Sequence, residues 1–265
     1  MTTATEASTY GAERTVVPLG GFNTTLLRLE FRRLTRNRRT MIFTLVMPVV
    51  FFLVFGLGQG DDDHGIGHGN VAAYIMISMA LYGAMLATTS GGAMVSIERA
   101  SGWSRQLRLT PPLTPVAYIA VKLIMAMLLG LVSILVVYVV GAFTSAQMDG
   151  SLWFTTALIA WLGSSIFAAF GLFMGYLLPS ENVMQLLGPG LALLAFGGGL
   201  FVPLTDGSVW ATIAQFTPMF GINALAHAPL TGNSIHWTWI VNILVWFAIF
   251  AGGAIWRFQR DTERV

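Results

Sequence analysis

The stretch ERASGWSRQLRLTPPLTP, residues 98–115, separates two long apolar runs and is both polar and basic. Its positive charges are Arg99, Arg105 and Arg108. A helix of about two or three turns fits here before Pro111, Pro112 and Pro115, because proline lacks a backbone N–H and clashes with the turn before it. We therefore expect a short polar helix that joins two hydrophobic helices.

The composition is that of an integral membrane protein. Of the 265 residues, 55% are hydrophobic and 10% are charged, and the mean hydropathy is +0.71. Soluble domains carry about 25% charged residues, so a water-soluble fold could not hide this much apolar surface. Cysteine is absent, which excludes disulfides, thiolate metal sites and thiol catalysis. Residues 1–20 have no apolar core, so we expect no signal peptide.

Six apolar runs follow one another along the chain. They cover about residues 40–58, 71–97, 116–143, 152–178, 183–201 and 237–256. Each reaches the roughly 20 residues that a helix needs to cross a bilayer. In lipid the backbone must satisfy its own hydrogen bonds, so these runs are expected to be helices. The predicted fold class is an all-α integral membrane protein whose six-span transmembrane domain covers residues 40–256.

The two ends of the chain differ from this domain. Residues 1–20 read as a flexible tail, and residues 257–265 as a second tail. Residues 21–39 carry an apolar strip at helical spacing beside several arginines. This pattern predicts an amphipathic helix in the membrane interface, with its arginines on anionic headgroups. A basic nucleic-acid-binding arm is the competing interpretation, and the apolar face argues against it.

The arginines predict the orientation. All 13 of them lie before the first run, between the second and third, or after the sixth. The segments expected on the opposite side are 61–70, 145–151 and 202–236, and they contain neither Arg nor Lys. By the positive-inside rule both termini and the 98–115 loop are cytoplasmic. We expect a multi-pass protein of the bacterial inner membrane.

Segment 202–236 is largely apolar but is interrupted by Pro203, Pro218 and Pro229. Neither half is long enough to span a bilayer. We expect two short re-entrant helices between the fifth and sixth spans, packed on the bundle. A cap helix lying flat on the outer surface is the alternative.

Residues that could carry chemistry are few. There is no Gly-x-x-x-x-Gly-Lys-Ser/Thr phosphate loop, so the chain is not expected to bind ATP or to be an enzyme. The loop with Asp61–Asp63, His64 and His68 could bind a metal, although a solvated acidic loop explains it as well. We expect no cofactor in this chain. His227 and His236 are expected to pack at the level of the headgroups.

Two charged residues lie near the expected cytoplasmic face. Lys122 is about a turn and a half into the third run, and we expect its long side chain to reach the headgroups. A salt bridge to Glu98 at the end of the second run is the alternative. Glu181 could touch a partner or be solvated.

Glycines within the runs predict close helix packing. Gly171 and Gly175 form a Gly-x-x-x-Gly step, for which packing within the chain is favoured over a dimer seam. Gly188 and Gly190 flank Pro189, and this triplet is expected to bend or loosen the fifth span.

This order of parts resembles the membrane subunits of type-2 ABC exporters, most closely the daunorubicin-type multidrug branch. The residues that carry the resemblance are Glu98-Arg99-x-x-Gly102, Leu107, Thr110-Pro111 and Lys122, followed by Gly198-Gly199-x-Phe201-x-Pro203 and Pro218. The resemblance implies that two permeases pair, usually as a homodimer, and bind two copies of a separate ATPase that holds ATP and Mg²⁺. It implies export of a drug-like, amphipathic or hydrophobic substrate, with lipid or polysaccharide export as the alternative. A six-span membrane enzyme or scaffold is the competing class, and no nucleic acid is implied as a partner.

The resemblance also assigns residues to roles. The expected coupling residues, which would contact or move with the ATPase, are Glu98, Arg99, Gly102, Trp103, Arg105, Leu107 and Arg108. The expected structural or gating residues are Lys122, Gly188, Pro189, Gly199, Pro203 and Pro218. The expected residues of the substrate pathway are Tyr82, Met85, Phe170, Met174 and Phe196.

Overall fold

The protein is largely helical in a computed structural model, which describes residues 28–29, 32, 38–59, 65–101, 115–204 and 207–263. The helices are α1 (Arg38–Gly56), α2 (Val71–Ala100), α3 (Pro115–Ala142), α4 (Gly150–Gly163), α5 (Ser165–Leu177), α6 (Ser180–Gly197), α7 (Val209–Ala214), α8 (Pro218–Thr231) and α9 (Trp237–Glu263). A 3-10 turn at Leu57–Gln59 follows α1, and two short strands, β1 (Gly65–Ile66) and β2 (Gly69–Asn70), precede α2. Helix therefore occurs in each of the six apolar runs.

Four apolar segments are long enough to cross a membrane. They are Val71–Ala100, Tyr118–Ala142, Gly150–Leu177 and Trp237–Arg260. Met41–Gly56 is apolar but shorter. Helix α6 is not among the four, and its first turns carry the polar residues Glu181, Asn182 and Gln185. The chain is a multi-pass membrane protein.

The fourth apolar run is divided into α4 and α5 at Ser164. The Ser164 hydroxyl donates to the Trp161 carbonyl oxygen at 2.7 Å, a local bond that competes with regular helix geometry. Beside it, a Cβ on Gly163 would lie 2.4 Å from Ile222 Cδ1 of α8. The absence of a side chain at Gly163 therefore allows α8 to pack against this bend.

Helix α2 is the centre of the bundle, since it packs against α1, α3 and α5. Its apolar window is 72% buried, whereas that of α9 is 11% buried. Contact with α5 is close because a Cβ on Gly171 would lie 2.2 Å from the Thr89 carbonyl oxygen, and one on Gly175 would lie 3.1 Å from that of Ala93. The Gly-x-x-x-Gly step therefore packs within the chain, as favoured from the sequence.

A small β-hairpin departs from the all-α prediction. Strands β1 and β2 pair antiparallel, with Gly67 at φ +56° in the turn between them. The hairpin is held by two neighbouring segments, because the His68 N–H donates to the Leu230 carbonyl at 2.8 Å and the Asn70 N–H to that of Gln147 at 3.0 Å. Asn70 also caps α2 by accepting from the Ala73 N–H. The bonds to Leu230 and Gln147 link distant segments, which explains why local periodicity did not predict the hairpin.

Segment 202–236 contains two short helices. Helix α8 begins with the buried Pro218 at its first position and ends before Gly232, whose φ is +74°. Pro229 lies inside the last turn of α8 rather than ending a helix. Helix α8 packs against α2, α4, α6 and α9.

Most of the expected interfacial helix, 21–39, and the tail 1–20 lie outside the described residues. Within this part of the chain, Arg28, Leu29 and Arg32 are helical and exposed.

Candidate functional site

Glu98, at the C-terminal end of α2, is the centre of a buried polar cluster. Its carboxylate Oε1 lies 2.5 Å from Lys122 Nζ, and its Oε2 accepts a hydrogen bond from the Tyr118 hydroxyl. The side chains of Lys122 and Glu98 are 3% and 1% exposed. The expectation that Lys122 reaches the headgroups is therefore wrong, and the salt bridge proposed as its alternative is present.

The positions of these residues on their helices explain the cluster. Tyr118 and Lys122 are four residues apart on α3 and so face the same side. The Lys122 ammonium also lies 5.3 Å from the centre of the Tyr118 ring. A buried carboxylate is costly unless it is paired and hydrogen-bonded, and α3 provides both a cation and a hydroxyl donor. The cluster ties the end of α2 to the first turns of α3.

Arg99 ties the same end of α2 to α5. Its guanidinium donates to the carbonyl oxygens of Gly175 at 3.3 Å and Tyr176 at 2.9 Å, and lies 5.7 Å from the Tyr176 ring centre. Arg257 of α9 donates to the Tyr176 carbonyl at 3.4 Å. The last carbonyls of a helix have no donors within it, and cations there are stabilised by the helix dipole. Two arginines therefore join α2, α5 and α9 at one end of the bundle.

These contacts define which expected coupling residues come together. Glu98, Arg99 and Lys122 lie at the two ends of loop 102–114, and Glu98 faces the interior rather than a partner. The remaining residues assigned to coupling, Gly102, Trp103, Arg105, Leu107 and Arg108, lie outside the described residues.

A cavity of about 930 Å³ lies at the other end of α2. Its lining residues come from α1, the hairpin, α2, α6 and the segment after α6: Phe51, Phe55, Ile66, Val71, Tyr74, Ile75, Ser78, Met79, Tyr82, Ala192, Phe196, Leu200, Phe201 and Pro203. None of these side chains is ionisable near neutral pH. The volume is within the range of pockets that hold drug-sized ligands.

Aromatic contacts form one side of this cavity. The Phe201 ring lies 5.1 Å from Tyr82 and 4.8 Å from Phe196, and Phe51 lies 6.1 Å from Tyr82. These separations are typical of aromatic pairs, and here the Phe51–Tyr82 pair is stacked, Tyr82–Phe201 is edge-to-face and Phe196–Phe201 is tilted. The wall joins α1, α2 and the segment after α6.

The five expected pathway residues are not gathered in one place. Tyr82 and Phe196 line the cavity. Met85 is fully buried in the core, Phe170 packs against Phe250 of α9 at 4.9 Å, and Met174 packs against the buried cluster around Val183 and Leu187. These three do not line the cavity.

Most of the cavity residues were missed from the sequence, although a signal existed. Tyr74, Ser78 and Tyr82 follow one another at intervals of four residues, which places them on one face of α2. Hydroxyl groups repeated along one face of an apolar run indicate a surface that is neither lipid-facing nor ordinary core.

The end of α6 and the segment after it contribute Phe196, Leu200, Phe201 and Pro203 to the lining of the cavity. Gly199 has φ +74°, the Gly199 N–H bonds the Phe196 carbonyl at 3.1 Å, and the Leu200 N–H bonds that of Ala195 at 3.0 Å. This pair of bonds is a Schellman motif, which favours glycine at the left-handed position. It turns the chain so that Leu200 and Pro203 line the cavity.

Helix α6 continues through the glycine–proline triplet. Gly188 and Pro189 are exposed. The helix is unbroken from Ser180 to Gly197, so the triplet does not end it. Proline nevertheless leaves the carbonyl four residues earlier without its helical donor.

The histidines have different environments. His227 is 5% exposed and hydrogen-bonded inside the bundle, so it packs against other helices. His236 is exposed and lies against Trp239 at 5.0 Å. His68 Nδ1 lies 3.5 Å from Asp149 Oδ2, with both side chains exposed.

The metal site considered for the loop with Asp61–Asp63, His64 and His68 lies mostly outside the described residues. No group of three or more potential metal ligands occurs within the described part of the chain. Asp61–Asp63 and His64 lie outside it. Glu181 is exposed in the first turn of α6.

Comparison with known proteins agrees with this architecture. Residues 23–228 match the family model described as ABC-2 type transporter. The "Putative transport permease YvfS" of Bacillus subtilis (strain 168) is 26% identical over 227 residues, which is 83% of this chain and 90% of that protein. The family match covers more than half of the chain and includes α1 to α7 and most of α8. The chain therefore belongs to the ABC-2 type transporter family, as a membrane permease that is a transport subunit and not itself an enzyme.

Proposed function

We propose that this chain is the permease of an ATP-driven exporter that moves uncharged or amphipathic, drug-like molecules out of the cytoplasm or the inner leaflet. The observation that carries the proposal is the aromatic cavity of about 930 Å³, whose lining has no charged side chain. Such a surface binds apolar and aromatic molecules through buried area and ring contacts. This matches the daunorubicin-type multidrug branch that the sequence resembles.

The lining chemistry also bears on the alternative substrates. Hydroxyl groups at Tyr74, Ser78 and Tyr82 are the polar side-chain groups that line the cavity. A polysaccharide would need many more hydrogen-bonding groups, because buried sugar hydroxyls without partners are costly. A lipid chain would be accepted by the same walls, so lipid export is the second candidate.

In this proposal, the ATPase acts at the C-terminal end of α2, away from the cavity. Loop 102–114, with Trp103 and the basic residues Arg105 and Arg108, contacts a separate ATPase that binds ATP and Mg²⁺. The buried pair Glu98–Lys122 and the bonds from Arg99 to α5 support a transmission role, since they connect both ends of that loop to the bundle. Glu98 and Lys122 then act as positioning residues rather than as direct contacts with the ATPase.

The assembly we propose is a homodimer of permeases with two ATPase copies. Each permease has six spans, with α1 and α6 crossing the membrane in addition to the four longer segments, and with α7 and α8 re-entrant. Both termini and loop 102–114 face the cytoplasm. The placement of the arginines and the family resemblance support this orientation.

Reconstitution tests the proposed function. The chain and its ATPase in liposomes should export an uncharged aromatic dye in the presence of ATP, and Tyr82→Ala or Phe196→Ala should lower that export. Met174→Ala serves as the control, because Met174 lies away from the cavity. Stimulation of ATP hydrolysis by a glycan but by no apolar compound would reject the drug-export proposal.

Coupling is tested separately. Trp103→Ala should leave ATP hydrolysis in place and reduce ATP-dependent export, because the loop no longer transmits movement of the ATPase. Normal export by this variant would contradict the coupling role of the loop.

A further inference from the structure

Two polar residues of α8, Asn223 and His227, lie one helical turn apart and are buried, with 8% and 5% exposure. Neither lines the cavity. Their hydrogen bonds go to different walls of it, His227 to α2 and Asn223 to the end of α6. Helix α8 therefore connects these two walls from behind.

His227 contacts the α2 wall. Its Nε2 lies 3.1 Å from Ser78 Oγ and 3.2 Å from the Tyr74 carbonyl oxygen, while its Nδ1 lies 2.9 Å from the Asn223 carbonyl oxygen. A neutral ring that donates from Nδ1 can accept at Nε2 from the Ser78 hydroxyl. The ring centres of His227 and Tyr74 are 4.1 Å apart. Ser78 and Tyr74 both line the cavity, so His227 positions two of its residues.

Asn223 contacts the α6 wall. Its Nδ2 donates to the carbonyl oxygens of Gly198 at 3.2 Å and Gly199 at 3.0 Å. These carbonyls directly precede Leu200, Phe201 and Pro203, which line the cavity. The Asn223 Oδ1 has no hydrogen-bond partner within the described part of the chain, and burying such an atom costs free energy. The Asn223 side chain therefore stabilises this wall through its two N–H groups and not through its oxygen.

Helix α8 is itself firmly placed. Ile222 fits beside Gly163, and the Gly221 N–H donates to Asn242 Oδ1 of α9 at 3.3 Å. Residues that are hydrogen-bonded to α8 are therefore also held in place relative to α4 and α9. Because packed interiors resist small changes in volume, the bonds from α8 hold the hydrogen-bonded parts of the α2 and α6 walls in place relative to α8.

We infer that Asn223 and His227 are positioning residues that set the width of the cavity and so determine the size of the uncharged aromatic molecule it binds. The role in transport rests on the function proposed above. The effect on binding does not depend on the ATPase and can be measured with the full-length permease alone.

The test is equilibrium binding of two uncharged dyes of different size, N-phenyl-1-naphthylamine and the larger Nile red, to the full chain in detergent. His227→Leu and Asn223→Ala should each weaken binding of the smaller dye roughly tenfold, with a smaller loss for the larger dye. His227→Gln retains a polar group near Nε2 and should bind the smaller dye within about twofold of the parent chain. His236→Leu and Asn233→Ala, at exposed positions, are matched controls that should bind both dyes as the parent does.

Unchanged affinity for the smaller dye in both α8 variants would overturn the inference. Equal losses for both dyes without recovery in His227→Gln would also overturn it, since that is the result of general unfolding. Failure of the parent chain to bind either dye would overturn it as well. If the size effect is found but no apolar compound is exported or stimulates the ATPase, the proposed function fails while the positioning role stands.

Discussion

The buried pair of Glu98 and Lys122 shows what a single charge in an apolar run can mean. From the sequence, a lysine a turn and a half into a span was expected to reach the headgroups, with a salt bridge to Glu98 as the alternative. Lys122 pairs with Glu98 because Tyr118 and Lys122 share a face of α3 and Glu98 lies beside them in the last turn of α2. The choice depends on helix rotation, which residue spacing within one helix does not determine.

Removing the cation should be more harmful than removing both charges. Lys122→Met takes the ammonium away from a buried carboxylate and should lower the free energy of unfolding by about 3–5 kcal/mol. Glu98→Gln combined with Lys122→Met should restore most of this loss, because the amide oxygen of Gln can still accept from Tyr118. Midpoints of thermal unfolding of the purified chain in detergent compare the two. A double variant no more stable than the single one would contradict a buried ion pair.

The glycines of α5 and α6 should respond oppositely to a methyl group. In Gly171→Ala the new Cβ would lie 2.2 Å from the Thr89 carbonyl oxygen, and overpacking of this kind costs about 1–3 kcal/mol. Gly190→Ala in α6 is the matched control, since a Cβ there has no neighbour within 4 Å among the described residues. Alanine also favours helix more than glycine does, so the control should unfold at an unchanged or higher temperature. Equal destabilisation by both would contradict the α2–α5 contact.

At the level of elements, the apolar runs predicted where helices form because twenty apolar residues in lipid leave the backbone few other choices. The division at Ser164 and the hairpin before α2 were not predicted. The hairpin depends on a contact between distant segments, His68 with Leu230, and at the division Ile222 packs against Gly163 beside the local bond of Ser164. Local periodicity contains no information about such pairs.

Two glycines after α6 make it possible to measure the cost of a left-handed backbone separately from the cost of overpacking. Gly199 and Gly207 have φ of +74° and +77°, but a Cβ on Gly199 would lie 2.6 Å from Leu204 Cγ, whereas one on Gly207 would have no neighbour within 4 Å among the residues that the structure describes. Gly207→Ala should therefore cost about 1–2 kcal/mol, the price of the backbone conformation alone. Gly199→Ala should cost more and should also weaken dye binding, because Leu200 and Phe201 would shift. Equal thermal midpoints for the two variants would reject the packing contribution.

At the scale of the whole molecule, the sequence predicted a membrane permease and the helical content, but only part of the candidate site. Tyr82 and Phe196 were assigned to the substrate pathway, while Phe51, Tyr74 and Phe201, which also line the cavity, were not. A cavity is made by elements from separate parts of the chain, and one-dimensional patterns do not show which faces meet. Even so, the hydroxyl groups spaced four residues apart on α2 mark the face that lines the cavity. The same spacing can be searched for in other apolar runs.

The number of membrane crossings can be tested directly because the chain has no cysteine. We expect Gly150→Cys, at the exposed first residue of α4, to react with a membrane-impermeant maleimide in sealed right-side-out vesicles. Arg260→Cys, also exposed and near the end of α9, should react only after detergent is added. Three crossings separate these positions if the α4–α5 segment, α6 and α9 all span the membrane, and this puts the two cysteines on opposite sides. If α6 does not span, two crossings remain and both cysteines react on the same side. Labelling of both in sealed vesicles would therefore exclude the six-span arrangement, and labelling of Arg260→Cys alone would reverse the orientation.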